Sequence, residues 1–280
     1  YGTKFFTTNP RCRLEGANHV EFIEHDPRKC TDEIVIQAIT RFKVRPAVVD
    51  IPQIKNAGVH GFSYEYVNYM LGGSYRASFR PLNDAIMTGR IRGVAAIVGC
   101  NNPRSSQDYL HNLVVKELLK KDVLVVQTGC GAIAAGKLGL LLGEAGISEV
   151  GSGLREVCET VGIPPVLHMG SCVDNCRILV LAAELGNALN VPIHKLPVAG
   201  AAPEWYSQKA VSIGAYFVAS GVYTVLGVMP HISGSPPVVS LLTEGLKGAV
   251  NASFAVEPDP VKAAVLISDH IERKRTELGI

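Results

Sequence analysis

No stretch of this chain approaches the ~20 consecutive apolar residues that a membrane-spanning helix needs, so nothing in it reads as a transmembrane segment. The amino end, YGTKFFTTNP, also lacks the basic, apolar and small-residue zones of a secretory signal. An excess of one charge is missing too. The 27 basic and 25 acidic residues are interspersed and give a formal +2, which argues against the concentrated basic face that nucleic acid requires. Internal repeats, low-complexity tracts and CxxC pairs are absent; Cys12 and Cys30 stand far apart in mixed polar sequence. The seven cysteines are an odd number in a long chain, which fits a reducing compartment better than a disulfide framework. A cytoplasmic protein without a nucleic-acid partner is expected.

With 280 residues, 47% of them hydrophobic, the chain can bury a substantial core. The apolar runs RPAVVDI, VAAIVGC, VLVVQTG, PPVLHMG, VPIHKLPVAG and YTVLGVMP alternate with helical stretches near 29–42, 106–120, 132–145, 152–162, 174–189, 204–219 and 259–277. That rhythm predicts an α/β fold, a Rossmann-like parallel sheet with helices on both faces. Ser105 or Ser106 is placed to cap the helix that has Asp108 in its first turn. Segment 229–238, MPHISGSPPV, is expected to be a loop, because prolines and glycines break both periodicities. The strand-like GTKFFTT after Tyr1 looks like an entry into the middle of a fold. Residues 1–26 are therefore expected to end a preceding α/β domain, and 27–280 to form a carboxy-terminal one.

Cys100, Cys130 and Cys172 each sit where an apolar run breaks into a glycine-containing turn with a helix to follow: VAAIVGCNNPR, VLVVQTGCGAI and PPVLHMGSCVDN. The carboxyl ends of parallel strands open onto one crevice, so three thiols far apart in sequence could converge there and bind a soft metal. Helix amino termini would favour the thiolate form. Gly131, Gly136 and Lys137 match the spacing of a phosphate-binding loop, but Leu138 stands where the magnesium-binding hydroxyl belongs. Small residues that allow close helix–sheet packing are the favoured reading of that segment. Cys158 reads as a buried small hydrophobe, and Cys176 falls one helical turn beyond Cys172. His168 and His231 are candidates for lining the crevice, with a structural histidine as the plainer reading of His168. Asn101 and Asn102 are expected to satisfy turn backbone beside Cys100, and Asp174 and Asn175 to cap the following helix.

The strings GCNNPR at 99–104, TGC at 128–130, LHMGSCVDN at 167–175 and APEWYSQKAVSIG at 202–214 resemble the carboxy-terminal portion of nickel-iron carbon monoxide dehydrogenase catalytic subunits. The resemblance extends through GANHVEF at 16–22, AGVHGFS at 57–63, LGGS at 71–74, GRIRGVAAIVGC at 89–100 and GVMPHISGSPPV at 227–238, nearly the whole chain. It implies reversible oxidation of CO with water to CO2, two protons and two electrons at a Ni-Fe-S cluster. In that family's pattern Cys100 and Cys130 bind iron and Cys172 binds nickel. Lys209 is the matching lysine, its ammonium aimed at developing carboxylate charge, and Ile213 walls the nickel's open position. Read alone, Lys209 is a helix-surface lysine with a solvated head.

The resemblance also implies what this sequence does not carry: a histidine and two cysteines from an earlier α/β domain, and a cysteine-rich segment for further [4Fe-4S] clusters. The chain is thus expected to be the carboxy-terminal piece of a longer subunit, and not to turn over CO alone. Expected partners are the remaining domains of that subunit, a second copy in a homodimer, a ferredoxin-like electron carrier and an acetyl-CoA synthase. Two other readings stay open at this point. One is a hybrid-cluster protein of the hydroxylamine reductase type, which uses iron without nickel; the other is a non-catalytic docking or dimerisation module.

Overall fold

A computed structural model describes residues 4–7, 19–22, 27–44, 53–55, 58–71, 80–143 and 146–280. The chain divides into two compact units, Tyr1–Lys55 and Asn56–Ile280, so residues 27–55 group with the amino-terminal segment that the sequence reading ends at residue 26. In the first unit, β1 (Lys4–Thr7) pairs in parallel with β2 (His19–Phe22), and α1 (Pro27–Lys43) follows. Helix α1 leaves Val35, Ile36, Ile39 and Phe42 exposed. The run RPAVVDI and residues 72–74 of the string LGGS lie outside the described residues.

The second unit begins with helices α2 (Tyr64–Leu71) and α3 (Pro81–Met87). Strand β3 (Gly93–Ile97), α4 (Tyr109–Leu119), β4 (Val123–Gln127) and α5 (Gly129–Lys137) come next, then α6 (Ser152–Val161), β5 (Val166–His168) and α7 (Asn175–Leu189). Strand β6 (Val198–Ala202), α8 (Gln208–Ala219) and β7 (Thr224–Leu226) precede α9 (Pro236–Ser240), α10 (Leu246–Val250), β8 (Phe254–Val256) and α11 (Pro260–Leu278). The strands form one parallel sheet in the order β5-β4-β3-β6-β7-β8, with helices around it, an α/β fold. Strand β4 is buried along its whole length, as expected of a strand covered on both faces. Ala95, Ile97, Val125 and Leu167 continue that core across the sheet, and Ala264, Ile267 and Ile271 of α11 pack into it.

The chain steps outward from β3 through β4 to β5, then returns to the other side of β3 as β6. Such a reversal of strand order opens a crevice at the carboxyl ends of the two central strands. Helix α11 begins on an aspartate cap, Asp259 Oδ1 accepting from the backbone N–H groups of Val261 and Lys262, and ends on Gly279 in the left-handed conformation. Its Arg275 is buried and donates to the carbonyl oxygens of Ile86, Ile91 and Arg92, which anchors α11 to the turn before β3.

Several local expectations are corrected. Segment 229–238 is not all loop, because α9 starts at Pro236; proline fits the first helical turn, where its missing N–H has no partner to lose. The helix expected from Ser105 or Ser106 starts at Tyr109, after Asp108 in the left-handed conformation, and the Ser105 hydroxyl donates instead to the Asn102 carbonyl. The helix expected over 204–219 starts only at Gln208. The helix expected at 132–145 begins earlier, at Gly129, and ends at Lys137. Of VPIHKLPVAG only the end is strand, Ile193–Lys195 forming a 3-10 turn between Pro192 and Pro197.

Candidate metal centre

Four neighbouring strands, β5-β4-β3-β6, deliver the candidate residues to one lip of the sheet. Cys172 opens a 3-10 turn after β5, Cys130 lies in the first turn of α5 after β4, Cys100 follows β3, and Lys209 lies in the first turn of α8 after β6. Cys100, Cys130, Cys172, Ser207, Lys209 and Ile213 all line one recess of about 90 Å³, several times the ~10–15 Å³ that a single water needs. The Lys209 Nζ donates to Cys172 Sγ at 2.8 Å, and the Cys100 Sγ lies 3.5 Å from Ser207 Oγ across the β3–β6 crevice. Burial alone would raise the Cys100 thiol, but hydrogen bonds from the Ser207 side chain and from the Ser207 and Tyr206 backbone, with the Lys209 charge, hold it below its ordinary value.

The turns are braced against one another. Gly129 has φ +55, and a Cβ there would stand 3.3 Å from the Cys172 Cβ, so glycine lets the Cys130 turn close onto the Cys172 turn. The Gly129 N–H donates to the Gly170 carbonyl. Asn175 is fully buried; its Oδ1 accepts from the Thr128 hydroxyl at 2.5 Å and its Nδ2 donates to the Cys172 carbonyl at 3.1 Å. Asn175 therefore links two cysteine turns rather than capping α7, while Ser171 and Asp174 form a reciprocal capping box over the 3-10 turn.

Behind Cys100 lies a polar network whose key member the sequence reading overlooked. Glu204 is fully buried and accepts from the backbone N–H groups of Leu110 at 2.8 Å and His111 at 3.4 Å, and from Asn101 Nδ2 at 2.9 Å. Asn101 Nδ2 also donates to Asp108 Oδ1, whose other oxygen takes Lys137 Nζ at 2.7 Å. Lys137 thus ends α5 in an ion pair, and Gly131 and Gly136 lie inside a helix rather than in a phosphate-wrapping loop. Asn102 satisfies turn backbone as expected, donating to the Trp205 carbonyl and accepting from the Arg104 N–H. The sequence signal for Glu204 was a lone acid between Pro203 and the chain's single tryptophan, in an otherwise apolar strand end.

The remaining candidates stay away from the recess. His168 Nδ1 accepts from the Gly170 N–H, and its ring meets His60 edge-on at 5.0 Å. His231 is exposed. Cys176 is exposed and donates to the Val173 carbonyl. Cys158 is buried among hydrophobes, which pushes its thiol up to about 12.

Among the described residues no three His, Cys, Asp or Glu side chains stand close enough to hold a single metal ion. The three thiols share one recess without meeting at one point. Soft sulfur donors spread over adjacent strand ends, beside an ammonium, fit part of the ligand set of a polynuclear cluster and do not fit a mononuclear site.

Comparison with known proteins yields a consistent set. The model of the Prismane/CO dehydrogenase family matches residues 1–261. Carbon monoxide dehydrogenase 1 of Methanosarcina acetivorans is 53% identical over all of this chain and 44% of its own length. An as-isolated, nickel-free carbon monoxide dehydrogenase from Thermococcus sp. AM4, produced without the CooC maturase, superposes with a TM-score of 0.87 at 48% identity, covering 100% of this chain and 44% of that one. A structure of acetyl-CoA synthase/carbon monoxide dehydrogenase, with NiZn[Fe4S4] and NiNi[Fe4S4] clusters in its alpha subunits, gives 0.86 at 39% identity over 100% of this chain and 43% of that one. The chain therefore spans about half the length of the relatives it matches.

Proposed function

Since the chain belongs to the Prismane/CO dehydrogenase family, we propose that it supplies the carboxy-terminal share of the protein ligands to a nickel-iron-sulfur cluster at which CO and water become CO2, two protons and two electrons. The observation that carries this reading is the recess itself: three strand-end thiols around one space, with the Lys209 ammonium on Cys172 Sγ. Bound there, the cluster supplies the Lewis acidity and electron capacity that side chains lack. Cys100 and Cys130 are assigned to iron and Cys172 to nickel. Lys209 brings a fixed positive charge to the Cys172 side of the recess, where carboxylate charge develops, and a charged donor acts strongly in a site poor in water. Ile213, one helical turn beyond Lys209, presents an apolar wall that excludes competing ligands.

The lysine distinguishes this assignment from a hybrid-cluster reductase, since reducing hydroxylamine develops no carboxylate for Lys209 to meet. In the same reading the remaining half of the subunit provides the other cluster ligands and the [4Fe-4S] relay, and the exposed apolar face of α1 is surface of the kind a neighbouring domain covers. The end of the preceding α/β domain falls within the amino-terminal unit, Tyr1–Lys55. Electrons pass to a ferredoxin-like carrier, the subunit forms a homodimer, and acetyl-CoA synthase is a candidate partner. No helix among the described residues is long and apolar enough to cross a membrane, and we place the enzyme in the cytoplasm.

The test is nickel and iron analysis of the full-length enzyme and its Cys172→Ala variant. Nickel should fall to background in the variant while most iron remains. Nickel retained at the parental ratio removes Cys172 from its role, and a parent with neither metal leaves the docking-module reading in its place.

A further inference from the structure

Ser207 ends the connection from β6 to α8 and stands at the N-cap of α8. A serine hydroxyl in that position ordinarily accepts from the N–H two or three residues further on. This one makes no such bond. It lies instead 3.5 Å from Cys100 Sγ, a normal reach for a sulfur partner, and the two residues line the same recess.

The surrounding backbone brings the pair together. Gly99 has φ +111, and a Cβ on it would stand 3.3 Å from Ala202 Cβ, so glycine lets the Cys100 turn close onto the end of β6. Asn102 Nδ2 donates to the Trp205 carbonyl at 3.2 Å. A trans peptide points its C=O and N–H in opposite directions, so this clamp turns the Tyr206 N–H the other way, where the Cys100 sulfur accepts it. The Ser207 N–H bonds the same sulfur. Two backbone donors and a hydroxyl thus meet a sulfur that issues from the neighbouring strand.

We propose that Ser207 is a positioning residue that tunes the cluster, its hydroxyl donating to the Cys100 thiolate. The inference rests on the assignment of Cys100 to iron. A metal-bound thiolate has no proton to give, so the hydroxyl is the donor. Donation to a cysteine sulfur stabilises the electron-rich form of an iron-sulfur cluster and so raises its reduction potential.

The experiment measures that potential in the full-length enzyme, from the EPR signal that added CO perturbs, in samples poised with mediator dyes. Parent, Ser207→Ala, Ser207→Gly and Ser207→Thr are compared. Threonine keeps the hydroxyl and should keep the parental potential. Glycine caps a helix almost as well as serine but has no hydroxyl, so it separates capping from donation. Both hydroxyl-free variants should favour the oxidised cluster about tenfold relative to the parent, ~59 mV lower for a one-electron couple. Parental potentials in both overturn the proposal, as does a shift in alanine that glycine reverses. A parent without any such cluster refutes the cluster reading and this proposal with it, whereas a cluster at unchanged potential refutes the proposal alone. Should the hydroxyl-free variants fail to load metal, a crystal structure of the parent decides. Ser207 Oγ on Cys100 Sγ is expected there, and an Oγ turned onto the α8 amides overturns the proposal.

Discussion

Replacing Glu204 by glutamine isolates the network that backs Cys100. One carboxylate oxygen takes the Leu110 and His111 amides and the other takes Asn101 Nδ2. Glutamine keeps one carbonyl for the two backbone donors, but its NH2 then faces the Asn101 NH2. Asn101 cannot simply turn over, because the same nitrogen donates to Asp108 Oδ1, and a flip would set oxygen against oxygen. The variant therefore loses one charge-assisted hydrogen bond in a buried place, about 2 kcal/mol within the 1.5–3 kcal/mol such bonds contribute. At 1.4 kcal/mol per decade this raises the open population of the start of α4 about 30-fold. Native-state amide exchange in the full-length enzyme reads that opening at Leu110 and His111 without requiring global two-state unfolding. Exchange within about two-fold of the parent would show that Glu204 does not hold this helix.

Lys209→Ala should leave iron and nickel contents unchanged and slow CO oxidation by about 10²–10³-fold, the usual loss for one charge-stabilising donor; a rate within a few-fold of the parent contradicts its assigned part. Burial in α11, stacked on Tyr223 at 4.6 Å, holds His270 at about 4 against an ordinary 6.5. Between those values the unfolded chain takes up a proton that the folded one refuses. Stability is then full above pH 6.5 and falls as pH drops towards 4, by at most ~3 kcal/mol. His270→Gln should flatten that acid limb in thermal unfolding followed from pH 7 to 4, and an unaltered slope assigns the sensitivity elsewhere.

The fold was legible wherever period and length agreed. Strand β4 reads as VLVVQ between charged and glycine punctuation, and the long helices α7 and α11 carry sustained patterns with terminal signals. What the sequence concealed was short or tertiary. Strand β8 is three residues, too few to show alternation, and α9 starts on two prolines that read as breakers until their place in the first turn is known. The candidate site divides in the same way. Its cysteines announce themselves by repeating one local context, strand then glycine then helix. Glu204 and Asn175 act through partners 94 and 47 residues away, and Gln127 buries an amide that has no partner among the described residues; no local pattern encodes such features.

The order of strands explains why these donors suit a cluster and not a lone ion. Neighbouring strands stand ~4.8 Å apart, so thiols issuing from the ends of β5, β4 and β3 are set along a wall rather than around a point, in keeping with the lack of any three close donors among the described residues. Lys209 arrives from β6, three strand intervals or ~14 Å from β5 by the same spacing, yet its ammonium reaches the sulfur of Cys172. The turns that carry Cys172 and Lys209 therefore converge beyond the strand ends, and both residues line the same recess. Thiols along a wall with an ammonium beside Cys172 are consistent with the proposed division of a cluster's ligands between two parts of one subunit.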